Sequence, residues 1–236
     1  MGGFKYELHA HTSEGSRCAT IPAAEMVQFY KDRGYTGICI TDHFLNGNTT
    51  VPRDLGWAER IELYCHSYEC ARQHGEKIGL DVFFGWEYGY MGSDFLTFGL
   101  DKTWLLNHPD LLEMSVNDYF DLVRREGAFV VHAHPFREAV YIKMIRLFPR
   151  QVDGVEVVNA NRKDFENDRA GEYAAHYNLL PVAASDNHRG LQKRLAGIRL
   201  QHRAKDLGEI IGAIKAGEAE LFTDYLPDYQ PPPATV

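Results

Sequence analysis

Short apolar runs that stop at histidine or carboxylate constrain this chain more than any other feature. FKYEL (4–8) runs into His9-Ala10-His11, TGICI (36–40) into Asp42-His43, and DVFFGW (81–86) into Glu87. AFVV (128–131) runs into His132-Ala133-His134-Pro135, and LPVAAS (180–185) into Asp186-Asn187-His188. Strands of a parallel sheet are covered on both faces and read as continuously apolar. An ionisable group in such a setting needs a partner, because burying it alone is costly. Its recurrence at the C-terminal ends of successive runs predicts one shared cleft for residues spread from position 9 to position 188.

The segments between these runs have helical spacing. PAAEMVQFYKDRG, preceded by Thr20 as a helix start, stops at Gly34. Further helices are expected over 57–78, 115–127, 165–178 and 204–218, and further strands over 94–100, 152–160 and 195–200. Six or seven strands alternating with helices predict a parallel α/β sheet. A TIM-like barrel of β/α units is expected first and an open doubly wound sheet second. No GxGxxG or GxxxxGK[ST] loop is present, which weakens the open-sheet, nucleotide-cofactor reading. One domain is expected over 1–225, followed by a proline-rich tail over 226–236.

Composition removes several function classes. Lysine plus arginine is 25 and aspartate plus glutamate 33, a net charge of −8, which argues against binding duplex DNA or anionic membranes through a broad basic surface. At 44% apolar and 12% aromatic residues, a chain of 236 residues can bury a substantial core. No apolar run reaches the roughly 18 residues of a membrane span. The start lacks a secretory h-region, and the four cysteines form no CxxC pair, so a reduced cytoplasm is the expected location.

His9 and His11, two apart on a strand, point the same way and make a bidentate clamp for a metal. Six of the eleven histidines (9, 11, 43, 132, 134, 188) fall in these strand-end motifs. The other five (66, 74, 108, 176, 202) are expected at the surface. Asp42-His43 alone also fits a strand-end turn in which the aspartate bonds backbone amides. Asp186 and His188 again share a face. Mixed imidazole and carboxylate donors suit zinc, manganese or iron rather than calcium. The candidates are too many for one ion, and Glu87 can bridge two.

In order along the chain, HAH with trailing TSEGS, then TDH, AHPFR and SDNH resemble the signature segments of the PHP (polymerase and histidinol phosphatase) family over residues 5 to about 200. The resemblance implies a distorted (β/α)7 barrel with two or three divalent ions at its C-terminal face and hydrolysis of phosphate esters. Carried over by position, it implies His9, His11, Glu87 and Asp186 as ligands of one ion. Glu87 would bridge to a second ion held by His134, and His43 and His188 would bind a third. Three departures stand out. Where many members have a histidine shortly after HxH, this chain reads Ser13-Glu14-Gly15-Ser16-Arg17, with Glu14 a candidate substitute. Where many have a histidine before the apolar run after the glutamate, it has Asp94, also a candidate ligand. His132 is extra, either orienting a ligand, touching substrate or simply buried.

The chemistry expected from this resemblance is hydrolysis of a small-molecule phosphomonoester by a water activated between two ions. A phosphodiester is the alternative within the same class, and a histidinol-phosphatase-like activity is one candidate. Arg137 and Arg17 are the candidates to hold the phosphoryl oxygens, with Arg189 a third. His43 or His188, when not fully committed to a metal, would protonate the leaving oxygen. Trp57, Tyr88, Tyr90 and Trp104 are candidates to stack on a substrate ring. The competing readings are a metal-dependent amidohydrolase, which usually needs a strand-end lysine absent from the runs above, and a non-catalytic PHP module.

Overall fold

The computed structural model describes residues 3–226. Its elements run β1 (Phe4–Ala10), α1 (Ala23–Asp32), β2 (Gly37–Ile40), α2 (Trp57–Ile78), β3 (Asp81–Tyr90), β4 (Ser93–Phe98), α3 (Lys102–Leu106), α4 (Val116–Arg125), β5 (Phe129–Ala133), β6 (Gly154–Asn159), α5 (Asp164–Tyr177), β7 (Leu180–Ala184), β8 (Arg194–Leu200), α6 (Leu207–Ala216) and β9 (Glu220–Tyr225). Apart from Leu226, the tail expected over 226–236 lies outside the described residues.

The strands join in the order β7-β6-β5-β4-β3-β2-β1-β8-β9. The sheet curls until the chain after β7 meets the end of β1. There Ala10 bridges Asn187, His11 N–H donates to Asn187 O at 2.9 Å, and Asn187 N–H donates to His9 O at 3.3 Å. The result is a nearly closed barrel, not the open sheet. Closure is incomplete where β8 pairs antiparallel with β1 and accepts a hydrogen bond at Ala196 O from Ser185 Oγ, just beyond β7.

The sheet is not wholly parallel, as the alternation of elements had suggested. β4 runs antiparallel to both β3 and β5, and β8 and β9 form an antiparallel pair. The β3–β4 turn at Met91-Gly92, both with positive φ, leaves no chain for the crossover that a parallel pair requires. Neither β9 nor α3 was evident from periodicity.

Side-chain parity decides what fills the barrel. Tyr6 and Leu8 pack inward with Cys39, Leu96, Val131 and Val182, whereas Ala10 packs outward with Met26 and Tyr30 of α1. Uninterrupted alternation from Leu8 would send His9 outward and Ala10 inward. The β1–β2 register instead shifts between Glu7 and Ala10. The N–H groups of Leu8 and His9 at this bulge donate to Glu7 Oε1 at 3.0 and 2.9 Å. The extra residue changes the parity and keeps His9 and His11 inward, stacked on the Leu8 layer. A second register shift between Glu156 and Val158 of β6 turns Glu156 and Asn159, three apart, toward each other, with Asn159 Nδ2 donating to Glu156 Oε2 at 2.7 Å.

At the opposite end, Ile210 and Ile214 of α6 pack beneath Tyr6, Phe98 and Phe129 and close the barrel floor. Outside β3 and β4, the rings of Phe44, Tyr64, Trp86, Tyr119 and Phe120 form the largest apolar cluster. Within it Trp86 Nε1–H donates to Tyr119 Oη at 2.8 Å, and Tyr119 Oη lies 2.7 Å from Thr97 Oγ1.

Helix α1 begins at Ala23, later than Thr20, whose N–H donates to His188 O at 2.9 Å. Both carboxylate oxygens of Glu14 accept the Ala23 N–H at 3.0 Å. Glu14, the candidate replacement ligand, thus caps α1. Glu14→Ala is expected to cost about 1 kcal/mol in urea unfolding, in the range of lost helix caps, with metal content unchanged. Loss of metal with unchanged stability would contradict this role.

Candidate metal centre

The barrel's C-terminal rim gathers most of the strand-end residues into one buried basin. His9 Nε2 lies 2.9 Å from His11 Nε2, 3.4 Å from Glu87 Oε1 and 3.6 Å from Asp186 Oδ1. His11 Nε2 is 3.5 Å from Glu87 Oε2 and 3.6 Å from Asp186 Oδ1. His134 Nε2 is 3.3 Å from Glu87 Oε1, and His43 Nδ1 is 2.6 Å from Glu87 Oε2. Three sets, His9–His11–Asp186, His9–Glu87–His134 and His11–His43–His188, each bring their donor atoms within 4.8 Å of one another.

The tautomers of the central pair follow from their outer hydrogen bonds. His9 Nδ1 lies 2.9 Å from Glu156 Oε1, which as a carboxylate can only accept, so Nδ1 carries the proton. His11 Nδ1 lies 3.0 Å from Ser16 Oγ. That hydroxyl donates its single proton to Asp42 Oδ1 at 2.7 Å and accepts from His43 N–H at 2.9 Å. It therefore accepts from His11 as well. With both Nδ1 atoms protonated, two neutral rings would aim their Nε2 lone pairs at each other, which is repulsive unless a positive charge lies between them. A divalent cation would supply that charge. In its absence a second proton on His9 does so. Burial opposes that proton, but Asp186, Glu156 and Glu87 outweigh it and raise His9 well above its usual value. His11 is driven well below its usual value, first by burial and then by His188 and His43.

The carboxylates are prepared for a cation too. Burial alone would raise Glu87, but His43, His9 and His134 hold it well below the usual range. Asp186 is likewise lowered against burial by His9, His134 and His188. Both rim turns use left-handed backbone: His134 has φ 29° and Asp186 φ 53°. Such conformations cost non-glycine residues on the order of 1 kcal/mol and cluster at functional sites. Here they occur in two of the donors facing Glu87 and His9.

Other expected residues fall differently. Asp94 projects into the same cleft but lies 4.0 Å from His134 Nε2 and pairs with Arg137 Nη2 at 3.1 Å, outside the three donor sets. Arg17 Nε donates to Thr49 O at 2.6 Å, and Arg17 does not line the cavity. His132 points out of the barrel against Phe95, Phe148 and Tyr173, and neither ring nitrogen has a hydrogen-bond partner. Its role is the plain buried one. Trp57 and Trp104 pack against the outer aromatic cluster and Tyr88 lies within it, whereas Tyr90 reaches the cavity. His108 stacks on Trp104, with ring centroids 3.9 Å apart. Glu156, Ser16 and Asp42, which orient the paired histidines, were not assigned that role from sequence. A glutamate amid the valines of GVEVV was the available signal for the first.

A cavity of about 970 Å³ opens above the basin. Its wall carries Arg137, Arg162, Arg189, Asn161, Tyr90 and Tyr141 alongside His43, Glu87, Asp186 and His188.

No family model matches the chain, and no curated protein matches it. Solved structures share its fold. One is a two-domain protein from Bacteroides vulgatus assigned a PHP-like metal-dependent phosphoesterase, with TM-score 0.69 and 18% identity over 93% of this chain. The chain spans 64% of that protein's length. A protein from Bifidobacterium adolescentis assigned as a metal-dependent phosphoesterase gives TM-score 0.52 and 18% identity, over 78% of this chain and 87% of that one. An amidohydrolase from Chromobacterium violaceum, holding sulfate and no metal, gives 0.56 and 13%, over 89% and 96%. The four-motif resemblance is thus matched in architecture: the chain has a PHP-like barrel fold.

Glu156→Gln should release the His9 tautomer and weaken metal binding about 10–100-fold in chelator competition; unchanged affinity would contradict the lock. His132, pushed down to about 3 by burial and then by His134, takes up its proton above that pH only when the chain unfolds. Stability should therefore rise with pH from about 3 to about 6.5, the ordinary histidine value. His132→Leu should flatten that limb in denaturant titrations, and an unchanged limb would exclude His132 as its source.

Proposed function

We propose that this chain is a metal-dependent hydrolase of small phosphate esters, acting on a phosphomonoester. The observation that carries the reading is the pair of locked imidazoles whose Nε2 atoms stand 2.9 Å apart over two buried carboxylates, an arrangement that calls for a cation. His9, His11, Glu87, His134 and Asp186 would hold two ions, with Glu87 between them, and His43 and His188 would serve a third. Nitrogen and carboxylate donors fit zinc, manganese or iron. Such ions, when bound, neutralise phosphoryl charge and acidify a water toward neutrality.

The chain's own residues supply the rest. Arg137, held in the cavity wall by Asp94, presents its guanidinium to phosphate oxygens, a match of planar fork to tetrahedral anion. His188 and His43 line the same cavity, and either of them, when not committed to an ion, would give a proton to the leaving oxygen. Tyr90 and Tyr141 offer apolar surface to the organic part of the ester. The net charge of −8 is no obstacle, because fields at a buried site act over distances shorter than the Debye length of about 8 Å.

The amidohydrolase alternative draws support from the Chromobacterium fold neighbour. Against it, no lysine lines the cavity among the described residues, and Glu87 holds the position between the donor sets. A non-catalytic module has no use for so many buried ionisable groups facing one another.

Elemental analysis and a panel of phosphomonoesters, phosphodiesters and amides with manganese, zinc and iron test the reading. Asp186→Ala is expected to lose both bound metal and turnover to background, while His74→Ala, on α2, keeps both. Equal behaviour of the two variants, or hydrolysis of amides alone, would overturn it.

A further inference from the structure

The loop from β1 to α1 is tied down on both sides of one thiol. Ser16 bridges Thr49, Arg17 N–H donates to Asn48 O at 2.9 Å, and Thr20 N–H donates to His188 O at 2.9 Å. Between these ties Cys18 Sγ stands 3.2 Å from His43 Nε2 and also contacts the His188 side chain. A further feature points to a ligand here: His43, His188 and His11 already form one of the compact donor sets. Glu87 Oε2 lies 2.6 Å from Nδ1 of His43 and so orients the ring with Nε2 toward Cys18. A sulfur at about 2.3 Å and a nitrogen at about 2.0 Å around a tetrahedral ion stand roughly 3.5 Å apart. The Cys18–His43 pair needs to open only slightly to reach that spacing.

We propose that Cys18 is the thiolate donor of a cation site shared with His43 and His188 on the cavity side of the basin. The inference rests on reading the basin as a metal centre and adds a donor of a different kind to it. Binding breaks the S–H bond, forms a sulfur–metal bond and releases the proton to solvent. A thiolate with two imidazoles favours zinc or cobalt over magnesium or manganese, so this position differs in preference from the inner nitrogen–carboxylate positions. Three protein donors leave a fourth corner open to the cavity, where a substrate oxygen can bind.

Cobalt spectroscopy tests this on the full chain carrying Cys70→Ser, which removes the other reachable thiol, 3.4 Å from His66 on α2. Cobalt-loaded protein should show a near-ultraviolet sulfur-to-cobalt band. Adding Cys18→Ser should abolish that band and lower bound cobalt by one ion per chain, while Cys18→His should restore the ion without the band. Zinc should also slow alkylation of Cys18 by iodoacetamide about tenfold or more, since a coordinated thiolate is withdrawn from reaction. Bound cobalt with ligand-field bands but no sulfur band, or a band indifferent to Cys18→Ser, overturns the assignment and leaves the inner basin standing. No cobalt bound to the parent protein overturns the metal-centre reading itself, and the thiolate donor with it.

Discussion

The hydrogen bond from His9 Nδ1 to Glu156, 2.9 Å long and fully buried, underlies the rest of the site. It fixes a tautomer, and so the direction of a lone pair. The chain from His11 through Ser16 to Asp42 does the same for the neighbouring ring. Once both lone pairs are aimed at one point, with Glu87 and Asp186 beside them, the basin is more stable holding positive charge than without it. Proton and metal would compete for that point. The arrangement of Glu87, whose two oxygens face different imidazoles, follows from the same geometry.

Bringing these groups together takes departures from regular strand geometry. A straight β1 cannot place Leu8 in the barrel's apolar layer and His9 above it on the same side. The bulge does so, and Glu7 satisfies the amides it frees. Left-handed turns at His134 and Asp186 redirect donors from the ends of β5 and β7. Each such residue carries on the order of 1 kcal/mol of strain, offset by the packed barrel beneath. That packing is extensive: Tyr6, Leu8, Leu96, Phe98 and Phe129 are all nearly inaccessible to solvent. The apolar floor and the polar rim are therefore parts of one construction, in which the core holds the donors in positions they would not adopt on a flexible scaffold.

Much of this was legible in the sequence because the donors lie where apolar runs stop. The barrel, its strand ends and the residues at 9, 11, 43, 87, 134, 186 and 188 all follow from that pattern. What was not legible depends on pairing and parity. The direction of β4 is set by a two-residue turn, and strand β9 carries only intermittent apolar residues. His132 shares an HxH pattern with His134, yet it faces outward because β5 stays regular up to Ala133 and the turn comes after it. Arg17 and Glu14 sit in a loop whose backbone route no periodicity describes, and they are consumed by local bonds to Thr49 and Ala23. Glu156 is the instructive omission. It lies in mid-strand rather than at a strand end, and only the curl of the sheet brings it beside His9.

Anomalous scattering from crystals grown with zinc or manganese measures the central claim most directly. The account predicts peaks inside the barrel rim, one bounded by His9, His11 and Asp186 and one by Glu87 and His134, each roughly 2.0–2.3 Å from its donor atoms. Peaks confined to surface groups such as His66 and Cys70, with the space between the His9 and His11 rings empty of any ion, would contradict it.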